Sequence, residues 1–189
     1  MTKYDPRKNA EGYNDPTPYA AEKHMMAQIR GKQARVAGGY FENIISASCD
    51  YYLSRGLAKI EKTPEPMKPL GAKNRKGQFL ACYTKQAQPD YKGTIKGGRT
   101  VMFEAKFTAA DRMEQSRVLQ SQQDYMDRHQ ALGARCFVIA GFSSGMVYCV
   151  PWDIWKTMKD HFGRKYVTEA DLEKYQVQTA WNGTLLLLN

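Results

Sequence analysis

Long apolar runs are missing from this chain. Runs such as 136–140 (CFVIA), 146–150 (MVYCV) and the four leucines 185–188 fall far short of the roughly 18 consecutive apolar residues that cross a bilayer. Residues 1–28 are polar and contain no apolar core of a secretory signal, so a cytoplasmic protein without a membrane partner is expected. Cysteine is scarce and scattered: Cys49, Cys82, Cys136 and Cys149 form no C-x-x-C pair. A zinc site of the usual spacing is not expected, and free thiols in a reducing cytosol are. Internal repeats are absent. What remains is 189 residues and 21.5 kDa, 42% hydrophobic and 25% charged. That composition describes a globular domain, with or without arms, large enough to bury a core.

The net charge of +9 is unevenly placed. Residues 1–35 carry seven basic and four acidic side chains, and residues 36–54 only Glu42 and Asp50. Residues 55–99 carry eleven basic and three acidic, and residues 100–189 balance at ten each. A basic segment beside a neutral body is the footprint of a polyanion binder, nucleic acid above all. A solvated basic face that keeps the protein soluble gives the same count.

Along the chain, residues 1–35 read as a basic, flexible arm punctuated by Pro6, Gly12, Pro16 and Pro18, with one stretch, 20–29, able to form a short helix. From Gly38 the pattern changes: Phe41, Ile44, Ile45, Ser48 and Tyr52 recur at helical spacing, predicting a helix over 39–55 that stops at Gly56. Residues 57–62 alternate as a strand, ended by Thr63-Pro64-Glu65-Pro66. Residues 67–77 are basic and poor in apolar side chains, a projecting loop or hairpin, and 79–85 read as a second strand. Residues 89–93 begin a turn, extended structure resumes at 94–96, and Gly97-Gly98 turns into a strand over 99–107. A Gln-rich helix over 118–132 closes at Gly133. The segment 135–142 is apolar after its leading Arg135, as in a strand buried on both faces. A strand over 145–150 follows, then a helix opened by Pro151, then a short helix over 168–175 with Thr168 and Asp171 spaced for a capping box. This order predicts an α/β fold with a mixed β-sheet flanked by helices.

The chemistry concentrates on the strand 99–107. Val101, Phe103 and Ala105 point one way, and Met102, Glu104 and Lys106 the other. A hairpin sets the start of its first strand beside the end of its second, so Asp90 approaches Glu104. Two such carboxylates offer oxygen ligands to Mg²⁺, and an adjacent ammonium can stabilise charge on a phosphodiester under attack. An ordinary surface Glu–Lys pair has the same local sequence, and Asp90, the hairpin and the basic segment tip the balance to catalysis. Glu42, beside the core position Phe41, is placed to offer a third carboxylate or to be a solvated charge. Gln122 on the following helix is by default a surface residue.

The segments 39–62 (GYFENIISASCDYYLSRGLAKIEK), 63–66 (TPEP), 90–93 (DYKG), 103–106 (FEAK) and 136–139 (CFVI) resemble the RecU-type Holliday junction resolvases of Gram-positive bacteria and their phages, within the PD-(D/E)xK nuclease superfamily. The resemblance runs from about residue 35 to 175. It implies a restriction-endonuclease-like core over 36–189, with a stalk inserted at about 63–80, and a homodimeric Mg²⁺-dependent endonuclease in which Mn²⁺ substitutes. Such enzymes cut opposing strands of a four-way DNA junction symmetrically, one active site per subunit, during recombination and repair. A recombinase or branch-migration helicase is the implied protein partner. By position, Glu42, Asp90, Glu104 and Lys106 are the catalytic set, with Asp90, Glu104 and Gln122 at the metal. Lys68, Lys73, Arg75 and Lys76 on the stalk and Arg30, Lys32 and Arg35 on the arm are the DNA-binding set.

The chain departs from the family pattern in places. Gln88-Pro89 stands where a Thr usually precedes the Asp, the Asp–Glu spacing is one residue longer, and Ser121-Gln122 replaces a His-Gln pair. The competing expectation is a non-catalytic junction-binding or recombinase-modulating protein on the same fold.

Overall fold

A computed structural model of the chain describes residues 18–84 and 88–188. The rest of the N-terminal arm lies outside the described residues. Contacts divide the chain between Ala37 and Gly38.

The first helix, α1, runs over Pro18–Ser54, not from residue 39. The sequence pattern sets its boundary at Gly38 and Gly39, yet neither takes a positive φ, and the residues before them (Gln33, Ala34, Arg35, Ala37) favour helix. A glycine inside a helix costs only about 1 kcal/mol. The helix does end where Gly56, at φ 63°, turns the chain.

A five-stranded sheet is built from β1 (Ala58–Lys62), β4 (Tyr91–Ile95), β5 (Thr100–Thr108), β7 (Arg135–Phe142) and β8 (Val147–Pro151), in that spatial order. β5 and β7 are parallel, and the other neighbours antiparallel. The mixed sheet is thus as expected, with β4 beginning at Tyr91, inside the residues read as a turn. β2 (Met67–Pro69) and β3 (Ala81–Tyr83) pair with each other and not with this sheet. Another two-stranded ribbon, β6 (Arg112–Glu114) with β9 (Tyr166–Thr168), has no counterpart in the sequence reading.

α1 covers one face of the sheet, and other helices cover the opposite face over β5, β7 and β8, leaving Lys59, Glu61 and Thr94 of β1 and β4 exposed there. Phe41, Ile45, Cys49 and Tyr52 of α1 pack with Val101, Phe103, Ala105, Phe137 and Ile139, and the C-terminal Leu185 and Leu187 join them. On the other face, Met126 of α2 (Gln120–Ala131) and Trp152, Trp155 and Met158 pack on Met102, Cys136, Val138 and Ala140. The tryptophans come from α3 (Trp152–Lys156), which breaks at Thr157 before α4 (Met158–Phe162), where a single helix was expected. The helix expected over 168–175 is α5 (Glu169–Leu172) followed by a 3-10 turn at Glu173–Tyr175. The N–H of Thr168 donates to Asp171 Oδ2 at 2.7 Å, one arm of the expected capping box.

An aromatic ladder fixes the register that matters. Tyr91, Phe103 and Phe137 are cross-strand partners on β4, β5 and β7. Each neighbouring pair of rings stacks at 4.9 Å and 13°. Such pairs contribute about 0.5–1.5 kcal/mol each beyond their buried area. A one-residue slip would turn every ring to the wrong face. Locking Tyr91 to Phe103 sets Asp90 opposite Glu104. Among the described residues, no helix is long and apolar enough to cross a membrane.

Candidate active site

β5 lies in the middle of the sheet, not at its edge. Its side chains alternate as read: Val101, Phe103 and Ala105 face α1, and Met102 faces α2. Glu104 and Lys106 share the Met102 face. Glu104 is fully buried, at 0% exposure, and Lys106 and Asp90 retain 19% and 17%.

Asp90 and Glu104 are tied through their backbones. The N–H of Asp90 donates to Glu104 Oε2 at 3.1 Å, and the N–H of Ala105 donates to Asp90 Oδ2 at 3.0 Å. Lys106 Nζ donates to Glu104 Oε1 at 2.5 Å and stands 3.7 Å from Asp90 Oδ2. Gln122, in the first turn of α2, is buried and donates from Nε2 to Glu104 Oε1 at 2.6 Å. Its own Oε1 accepts the N–H of Leu119 at 3.0 Å. Gln122 therefore offers the cluster its amide nitrogen, while its oxygen holds the start of α2.

Burial pushes the Glu104 carboxyl up to about 7. The Lys106 ammonium opposes that rise, and the Asp90 carboxylate adds to it. The two carboxylates already share one cationic group, the Lys106 ammonium, and a divalent ion would lower the cost of holding both ionised. The donor chemistry is hard oxygen, which suits Mg²⁺ or Mn²⁺ and not the thiolate- and imidazole-seeking metals. No group of three Asp, Glu, His or Cys side chains converges among the described residues. Asp90 and Glu104 are thus the anionic donors available here, which fits an ion that keeps several waters.

Glu42 is bound elsewhere. Its Oε2 accepts from Lys62 Nζ at 2.5 Å, and its backbone carbonyl accepts from the Tyr91 hydroxyl at 3.1 Å. That pairing raises the Lys62 pKa, to which Asp90 also contributes. Lys62 was missed from the sequence, since nothing in it links a helix position to a strand end 20 residues away. The second lysine missed is Lys92 on β4, whose Nζ donates to Gln88 Oε1 at 2.6 Å. The alternation of β4 was the signal that could have found it.

The DNA-binding candidates fall in two places. Lys68, Lys73, Arg75 and Lys76 are all exposed on the β2–β3 hairpin. Asn74 Oδ1 accepts the N–H groups of Lys76 and Gln78 and holds the hairpin's turn. The hairpin follows Thr63, whose N–H donates to the Asp90 carbonyl at 2.7 Å, so its base is bonded to the site. Lys32 and Arg35 are exposed on α1, and the side chain of Arg30 lies outside the described residues.

A family model described as Recombination protein U matches residues 36–188. The chain belongs to the RecU family. A Holliday junction resolvase RecU of Streptococcus pneumoniae (strain Taiwan19F-14) is 29% identical over 169 residues, 86% of this chain and 85% of that protein. Another, of Streptococcus pneumoniae (strain Hungary19A-6), is 32% identical over 69% of this chain and 68% of its own length. A RecU of Streptococcus gordonii is 36% identical over 57% and 56%. Among solved structures, the Holliday junction resolvase Hjc of Archaeoglobus fulgidus aligns over 72% of this chain and 92% of its own, at 11% identity and a TM-score of 0.42.

Proposed function

We propose that this RecU-family protein is a Mg²⁺-dependent, structure-selective endonuclease that resolves four-way DNA junctions by paired symmetric nicks in recombination and repair. It works as a homodimer with one active site per subunit. The observation that carries this reading is the convergence of Asp90, Glu104 and Lys106, with Lys106 Nζ 2.5 Å from one carboxylate and 3.7 Å from the other. A surface Glu–Lys pair does not need a fully buried carboxylate, and a binding module does not need to cluster these three groups.

Asp90 and Glu104 would hold the ion, Mg²⁺ or Mn²⁺ in its place. When bound, it supplies Lewis acidity that eases ionisation of a water and offsets charge on the phosphodiester. Lys106, which stands beside both carboxylates, would offset the charge that develops on the phosphate oxygens in the transition state. Gln122 orients Glu104 through its amide nitrogen and supports the ligand without needing its own oxygen. Glu42, held by Lys62, is not a ligand of the ion; it acts from outside the cluster, through Lys62 and through its backbone carbonyl, which accepts from the Tyr91 hydroxyl. Lys68, Lys73, Arg75 and Lys76 on the hairpin, with Arg30, Lys32 and Arg35, bind phosphates and read branch shape more than sequence.

The test is a labelled four-way junction incubated with the protein and Mg²⁺ or Mn²⁺. The expected result is nicks at symmetric positions on opposing strands, abolished by Asp90→Asn and by Lys106→Ala. Junctions bound but left intact by wild type would return the protein to the non-catalytic reading.

A further inference from the structure

The sheet face that carries Glu104 and Lys106 continues past them onto β4 and β1. There, Lys59 and Glu61 of β1 and Thr94 of β4 are exposed and Lys92 of β4 is half-buried. The opposite face of the same strands (Ala58, Ile60, Tyr91) is buried in the core with α1. The register makes this a continuous surface: Lys59 pairs with Thr94, Glu61 with Lys92, and Lys92 with Met102, two residues before Glu104. Lys96, exposed, follows Thr94 by two.

The lysines on this molecule differ in what holds them. Lys106, Lys62 and Lys156 are paired to carboxylates. Lys92 is oriented by a neutral amide, the Gln88 Oε1 at 2.6 Å. Its cross-strand neighbour Glu61 is ion-paired to Lys59 at 3.4 Å. Lys92 is therefore a fixed ammonium whose charge no carboxylate within ion-pair distance cancels among the described residues, set two residues along the chain from Asp90. Two residues of strand are about 6.8 Å, within reach of a phosphate adjoining one at the cluster. β4, Tyr91–Ile95, runs about 17 Å, the length of about five nucleotides of duplex at ~3.4 Å each.

We propose that the exposed β1–β4 face is the seat of the duplex arm next to the cleavage site, and that Lys92, oriented by Gln88, grips a phosphate of that arm. This rests on the nuclease reading above. The partner is recognised by charge and regular phosphate spacing, not by base identity. Lys92 is a substrate-binding residue, and Gln88 is a positioning residue acting through it.

Binding of a labelled four-way junction is measured in EDTA across a range of salt, for wild type, Lys92→Ala, Lys92→Arg, Gln88→Ala and Lys159→Ala. Lys159, exposed on α4, controls for loss of one charge anywhere. Lys92→Ala is expected to weaken binding about 5–10-fold and to reduce the salt slope by about one. Lys92→Arg restores both. Gln88→Ala keeps the slope, since the charge remains, but slows Mg²⁺-dependent cutting at saturating enzyme. A Lys92→Ala protein with the wild-type slope, or one no different from Lys159→Ala, overturns the proposal. If wild type does not cut while Lys92→Ala still loses slope, the nuclease reading fails and the docking face stands. If wild type cuts and Lys92→Ala binds and cuts like it, the docking face fails alone.

Discussion

The backbone amide of Asp90 donates to the carboxylate of Glu104 at 3.1 Å, so one ligand candidate holds the other. The tie is returned one residue on, where the N–H of Ala105 donates to Asp90 Oδ2. This reciprocity separates the chemical role of Asp90 from its structural one. Asp90→Asn keeps an oxygen acceptor for Ala105 and is expected to fold with nearly wild-type stability while losing cleavage. Asp90→Ala leaves that half-buried amide unpaired and is expected to lose about 1–2 kcal/mol as well. Denaturant unfolding of the two variants beside a junction-cutting assay checks this. Equal stability losses would mean that the Ala105 contact holds nothing.

Glu104 gives a pH signature. Its carboxyl rises from an ordinary 4.5 to about 7 because it is buried. Between those values the folded chain keeps a proton that the unfolded chain has released. The stability from this group is therefore fully present below about 4.5 and is lost as pH rises through about 7. Above pH 7 the ionised carboxylate burdens the metal-free fold, by roughly 3 kcal/mol. Glu104→Gln, inactive, is expected to melt above wild type in EDTA at pH 8, and the gap is expected to close toward pH 4.5. Melting curves at the two pH values decide it, and a gap of constant size would remove burial as the cause.

Gly93 is a backbone requirement of the same region. A Cβ there would stand 1.9 Å from the Lys59 carbonyl oxygen and 2.6 Å from the Ile60 Cα. These are backbone atoms of the neighbouring strand, which cannot rotate away. Gly93→Ala is expected to push β1 off β4 and to lose at least about 3 kcal/mol, beyond the usual range for overpacking because the clash is with main chain. Thermal unfolding measures it. A variant that melts with wild type would show that β1 moves freely against β4.

What could be read in the sequence was what repeats over short distances. Alternation placed Glu104 and Lys106 on one face of β5, and the Gly97-Gly98 turn brought Asp90 round to them. The segment 135–142, apolar after Arg135, is β7 at its full length. What was missed is non-local or too short to show a period. β6 and β9 are three residues each and join Met113 to Val167 across most of the second half of the chain. Glu42 on a helix meets Lys62 on a strand, and neither pattern refers to the other. The apolar stripe begins only after Gly38, which puts the helix start at Gly39, though the backbone is already helical from Pro18.

The hairpin separates binding from folding. Lys73, Arg75 and Lys76 are exposed, and the turn they flank is held by Asn74, not by them, since Lys76 contributes only its backbone N–H. Replacing all three by alanine is expected to leave the melting temperature within about 2 °C, as for surface changes worth under about 0.5 kcal/mol. Junction affinity is expected to fall and its salt dependence to flatten. Melting curves and salt titrations of the same preparation test both halves. A collapsed fold would mean that the hairpin is part of the core.

Gln122 joins the start of α2 to the site. Because it is buried, it is not placed to touch DNA. Gln122→Ala is expected to bind junctions as wild type does. Two bonds are lost together: Glu104 loses a donor and the Leu119 amide loses its acceptor. Loss of such a supporting contact lowers activity or metal affinity about 10–100-fold. The expected result is therefore slower cutting that recovers in part as Mg²⁺ is raised, with binding in EDTA unchanged. Gln122→Glu, which keeps an acceptor for Leu119 but sets a carboxylate against Glu104, is expected to hold the helix start and still lose cutting at low Mg²⁺. If Gln122→Glu cut as wild type does, the amide nitrogen would have no part in holding Glu104.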